Sequence, residues 1–117
     1  MTKIFAVHEI ELRPGVSAEA FETFFATEIG SGPLYPGWWA KLLKADRGAR
    51  AGKYLVIFEI ESAEVRDRYF PAAGARSEEA LQFTQQHPEF AAMFEQWSTL
   101  ASPLGEVYSD YIEVAGG

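Results

Sequence analysis

Lys53-Tyr-Leu-Val-Ile-Phe-Glu-Ile-Glu-Ser62 decides how this chain folds. From Tyr54 to Ile60 it is aromatic, β-branched and apolar on both sides of any pleat, with Gly52 before it. A strand with one wet face alternates apolar with polar residues. An unbroken run of this length therefore predicts the middle of a sheet, with one layer above it and one below. The rest of the chain reads as the material of those layers.

Working outward, Trp38 to Asp46 predicts a second strand, with Trp38, Ala40, Leu42 and Lys44 on one side and Trp39, Lys41, Leu43 and Ala45 on the other. The glycine-containing loop from Asp46 to Gly52 makes it the antiparallel neighbour of the central strand. Before it, Gly30 to Gly37 holds two prolines and three glycines and reads as a rim loop. Ser17 stands as an N-cap to a helix running to about Ile29, whose stripe takes in Ala18, Phe21, Phe24, Phe25 and Ile29. The first strand, Lys3 to Leu12, carries Ile4, Ala6, His8, Ile10 and Leu12 on its helix side, and Arg13-Pro14-Gly15 ends it.

Downstream, Ser62 caps a short helix from Ala63 to about Tyr69 that Pro71 stops, and another helix begins near Ser77. Pro88 suits the first turn of a third, with Phe90, Met93, Phe94, Trp97 and Leu100 on one face and Pro103 and Gly105 closing it. Glu106 to Val114 predicts the last strand, with Tyr108, Asp110, Ile112 and Val114 sharing a side. This order, βαββαβ, predicts an α+β, ferredoxin-like domain over residues 1–117, with a four-stranded antiparallel sheet of order 4-1-3-2 and helices on one face. The continuous apolar strand needs two covers, and the helices suffice for one, so a homodimer is expected to supply the other.

Composition narrows the function classes. At 117 residues, 48% apolar and 15% aromatic, the chain is a single domain with enough hydrophobic mass for a core. A formal net charge of −7 argues against nucleic-acid binding, which draws its affinity from Lys and Arg neutralising phosphates. With no cysteine there is no disulfide, thiolate nucleophile or sulfur-ligated metal. No charged leader precedes an apolar segment and no run approaches the length of a membrane span, which points to a soluble, cytoplasmic protein. Dinucleotide, P-loop and nucleophile-elbow motifs are missing too, so no cofactor is expected.

Four stretches carry a family likeness: the first strand ended by Arg13-Pro14-Gly15, Pro36-Gly37-Trp38 opening strand two, the Tyr-Leu-Val-Ile-Phe-Glu-Ile-Glu-Ser strand followed by a short helix, and His87-Pro-Glu-Phe90. In these the chain resembles the dimeric α/β-barrel superfamily, which contains antibiotic-biosynthesis monooxygenases, EthD-like proteins and stress-responsive barrel proteins. The resemblance implies a dimeric barrel and a histidine near the His87 junction. It also implies a cofactor-independent monooxygenase- or cyclase-like enzyme for an aromatic or polyketide-like molecule; the alternatives are a non-catalytic ligand-binding or stress-response dimer, in which the aromatics are core and the histidines structural, and haem binding or degradation, which draws only on His87 and the tryptophans. None of the four stretches is a catalytic signature, and a fold of this kind hosts many functions.

The residues offer few chemical groups. His8 and His87 are the side chains that titrate near neutral pH without perturbation, and each is a candidate proton acceptor, His8 alternatively a metal ligand. Each also has a structural reading, His8 as a hydrogen-bonded core histidine and His87 as a half-exposed helix flank. Trp38 and Trp97 are the candidate substrate-binding groups, able to orient a flat ligand between sheet and helices. Trp38 and Trp39 cannot both face inward. Glu9 with Glu59, and Glu11 with Glu61, share sheet faces by parity and could divide acid and base roles or be solvated ion-pair partners of residues such as Lys41. Arg66, Arg68 and Arg76 suit an anionic substrate or a solvated helix face. The histidines lack metal-ligand spacing, so no metal site is expected.

Overall fold

Serine caps and proline stops divide the chain where the sequence places them. The structure is a computed structural model that describes residues 2–30, 34–103 and 108–116. Its elements are β1 (Ile4–Leu12), α1 (Ala18–Phe24) continued by π-helical turns (Phe25–Ile29), β2 (Trp38–Lys44), β3 (Tyr54–Ile60), α2 (Ala63–Tyr69), α3 (Glu78–Gln86), α4 (Pro88–Leu100), β4 (Ala101–Pro103) and β5 (Ser109–Ile112). Ser17, Ser62 and Ser77 each accept a hydrogen bond from a backbone N–H three residues on, at 3.1, 3.2 and 3.2 Å. Such a cap stabilises a helix by about 1 kcal/mol.

Among the described residues the result is one α+β unit with a five-stranded antiparallel sheet and four α-helices. β3 lies between β2 and β1, and the far side of β1 is occupied by β4 along residues 10–12 and by β5 along residues 4–7. Ile4 faces Ile60 and Ile10 faces Tyr54 across β1 and β3. That register puts all even-numbered positions of these strands on one face. The helices cover that face, where Ile10, Tyr54 and Val56 share a core with Phe21, Phe24, Phe25, Phe90 and Met93.

The edge of the sheet departs from the sequence reading. Instead of one strand from Glu106 to Val114 there are two short ones. Ala101–Pro103 already pairs with β1, and Glu113 and Val114 lie beyond β5, while residues 104–107 fall outside the described part. The third predicted helix accordingly ends at Leu100, and Pro103 belongs to a strand instead of closing the helix. Proline is tolerated there because an edge position needs no N–H from it.

A second departure is in the helix after Ser17, which widens over its last turns. The Gly30 N–H donates to the carbonyl of Phe25, five residues back, at 2.9 Å. The Thr27 hydroxyl donates to the Thr23 carbonyl at 2.9 Å, a local bond of the kind that bends helices. Phe25 and Ile29 are both buried by this winding.

Among the described residues nothing covers the odd-numbered face. Trp39, Leu43 and Tyr111 are 52%, 46% and 56% exposed, and Phe5, Val7, Leu55 and Ile57 are only half-buried. Expecting both faces to be covered thus holds for one face of the single chain. None of the described helices is long and apolar enough to cross a membrane.

Candidate functional site

The even-numbered face and the helices leave two neighbouring cavities of about 210 Å³ each. The first has aromatic walls made by Tyr35, Trp38, Phe58, Phe70, Phe90 and Phe94. The second is lined by Ile10, Phe25, Ile29, Val56, Met93 and Trp97. His8, Leu34, Phe58 and Phe94 belong to both, so the histidine stands where the two lobes meet. The widened turns of the first helix bring Phe25 and Ile29 to the second lobe. Phe94, expected in the core by its helical spacing, is instead 41% exposed and stands at the boundary with solvent.

His8 is placed by strand alternation, since it lies between Ala6 and Ile10 on the helix side of β1, opposite Val56. Its ring stacks on Tyr108 at 4.7 Å between centroids and meets the edge of Phe58 at 5.5 Å. No hydrogen bond holds either ring nitrogen among the described residues, and neither nitrogen is sealed from the surroundings. Burial pushes the imidazole pKa below its ordinary value, and the negative charge of Asp110 opposes that in part. At neutral pH the ring is therefore uncharged and carries a lone pair available to a proton donor.

β5 delivers the remaining polar groups. Asp110 is opposite Ala6 and faces the helix side, and Tyr108 follows by alternation next to His8. Arg66 of α2 reaches across with Nη1 3.1 Å from Asp110 Oδ2 and donates its Nε–H to Asp67 Oδ1 at 3.0 Å. Arg66, Asp110, His8 and Tyr108 are all part of the first cavity's lining. Burial raises the pKa of the Tyr35 hydroxyl, and the positive charge of Arg76 opposes that in part.

The four residues singled out by sequence reach different places. His8 lines both lobes, Trp38 the first and Trp97 the second, while His87 lines neither. His87 instead precedes α4, stacks on Phe83 at 4.2 Å and has Nδ1 3.3 Å from Glu89 Oε1. Its imidazole is separated from the cavity wall by Phe83, which packs on Tyr35 and Phe90. Among the described residues the Trp38 Nε1–H is buried with no acceptor, and the indole packs against the rings of Tyr35, Phe58 and Phe70. Aromatic faces act as weak acceptors for such a group, and it is not offered to the cavity. Trp39 takes the open face instead.

The carboxylates do not form acid–base pairs. Glu9 and Glu59 share a face, yet their cross-strand partners are Leu55 and Phe5. Glu59 pairs with Lys41 at 3.2 Å and Glu9 with Arg50 at 3.8 Å. Among the described residues no group of His, Asp and Glu converges as a metal site. Sequence reading named Tyr108 and Asp110 on one side of the last strand without assigning them to the site. Only the β1–β5 register links them to His8. Compared with protein-family models, with curated proteins and with solved structures, the chain matches none.

Proposed function

We propose that this chain is a ferredoxin-like protein of the dimeric α/β-barrel kind that binds a flat aromatic small molecule between sheet and helices, with His8 as its proton acceptor. The observation that carries the reading is His8 itself, uncharged and, among the described residues, without a hydrogen-bond partner beside two apolar cavities. A concave apolar site with few polar groups is the usual form of a small-molecule pocket, and the two lobes together lie in its usual size range of roughly 300–1,000 Å³. A ligand crossing from one lobe to the other passes the imidazole.

The chemistry that this geometry supports is proton removal. A phenol or enol hydroxyl donates to the free ring nitrogen. Transfer leaves an electron-rich oxyanion on the ligand and an imidazolium beside Asp110. A cyclase uses that nucleophile within the same molecule. A monooxygenase adds molecular oxygen as oxidant: one oxygen atom enters the ligand, and the other leaves as water with two hydrogens that the ligand itself gives up. The site residues are His8 as base and Trp38 and Trp97 as ligand walls, and His87 supports the wall through Phe83. The open apolar face of the sheet supports a homodimer, because Trp39, Leu43 and Tyr111 leave a patch suited to a second copy.

Binding is tested with 2-naphthol and naphthalene as probes, on the wild type and on His8→Phe, which keeps an aromatic ring beside Tyr108 and removes both nitrogens. Fluorescence titration should show 2-naphthol weakened about threefold to tenfold by the substitution, the range of one neutral hydrogen bond, with naphthalene unchanged. Equal effects on both probes would reduce His8 to a wall residue, and absence of any binding would refute the cavity reading.

A further inference from the structure

We infer that the cavity accepts uncharged ligands and rejects carboxylates, and that Asp110, by occupying Arg66, sets this preference. The inference deepens the binding reading above and rests on it. A carboxylate entering an apolar cavity loses its hydration, and it binds only where a cation or several donors replace the water. Among the described residues the second lobe offers His8 alone, and His8 is uncharged at neutral pH. In the first lobe the cationic side chain is Arg66, and it already serves two carboxylates, Asp67 at 3.0 Å and Asp110 at 3.1 Å.

Within the cavity lining the Asp110 carboxylate therefore neutralises the Arg66 guanidinium, and no net positive charge is left for an incoming anion. Asp110 itself lines the cavity, on the strand position opposite Ala6, so an anion beside Arg66 is also beside a carboxylate that repels it. A neutral hydroxyl suffers none of these penalties, and it finds an acceptor in His8. Haem, with its propionates, falls among the ligands this arrangement disfavours.

Isothermal titration calorimetry at pH 7 with 2-naphthol and its anionic relative 2-naphthoate tests the inference. On the wild type, 2-naphthoate should bind at least about tenfold more weakly than 2-naphthol. Asp110→Ala releases the Arg66 Nη1 donors and should bring the two probes within about threefold, chiefly by strengthening 2-naphthoate. Asp110→Asn keeps the shape and removes only the charge, so it must narrow the ratio as well. It provides the comparison if the alanine variant folds poorly. Equal affinities on the wild type, or a ratio that neither variant changes, would overturn the inference while leaving the cavity reading intact. Failure of 2-naphthol to bind would overturn both.

Discussion

The two faces of one sheet are made from the same strands and differ in what covers them. Ile60 and Ile57 are three residues apart on β3, and only their parity separates them. Ile60 is 1% exposed beneath the helix layer, whereas Ile57 is half-buried on a face that none of the described helices covers. Trp38 and Trp39 repeat the contrast one strand away, with one indole in the cavity wall and the other 52% exposed. An apolar run signals that both faces favour removal from water, but it does not say which face the chain's own helices cover.

The largest expected effect separates the two isoleucines. Ile60→Ala removes fully buried methyl and methylene groups and should destabilise the protein by about 2–5 kcal/mol at any protein concentration. Ile57→Ala should cost far less in dilute solution, where the open face meets water. If that face pairs with a second copy, Ile57→Asp should convert a dimer to a folded monomer in sedimentation while circular dichroism stays unchanged. A wild type that sediments as a monomer at micromolar concentration, with stability unchanged on dilution, would leave the open face solvated.

A smaller effect sharpens the covered side. The Tyr54 hydroxyl donates to Glu22 Oε2 at 2.5 Å and ties β3 to α1. Burial, with the Glu22 hydrogen bond and charge, pushes the phenol pKa up to about 12. The same hydrogen bond, aided by Lys44, holds the Glu22 carboxyl below its ordinary value. Tyr54→Phe should therefore lower stability by about 1 kcal/mol in denaturant unfolding and let the Glu22 carboxyl return toward its usual range by NMR titration. An unchanged midpoint and an unchanged carboxyl would show that the contact is loose in solution.

The smallest effect concerns His8. Its pKa is lower in the folded protein than the ordinary 6.5, so the unfolded chain binds the proton more tightly. Stability from this group is fully present above about pH 6.5 and is lost as pH falls through the depressed folded value. Denaturation curves across that window should show a loss on acidification that His8→Phe flattens. A slope that survives the substitution would place the acid sensitivity elsewhere.

Much of the local structure is legible in residue types because it depends on neighbours in the chain. Ser17, Ser62 and Ser77 mark helix starts, Pro71 and Pro88 mark a stop and a start, and strand parity puts His8 and Trp38 on one side of the sheet. The split edge was hidden because Ala101–Pro103 is too short for a periodic signal and continues directly from α4. The widened helix end was hidden too, since the spacing of Phe21, Phe25 and Ile29 fits α-helical winding equally well.

By itself, the sequence determined the kind of side chains available: an aromatic-rich core, two histidines, no cysteine and an acidic balance. It also determined where helices begin and which strand is most apolar, since caps and alternation act over a few residues. Tertiary structure alone decided that His8 stands between two cavities while His87 lies outside them. Tertiary structure likewise brought Asp110 and Arg66, 44 positions apart, together beside the first cavity. Such meetings depend on the antiparallel register of β5 against β1 and on how α2 packs over it, and neither leaves a mark in the local pattern of residues.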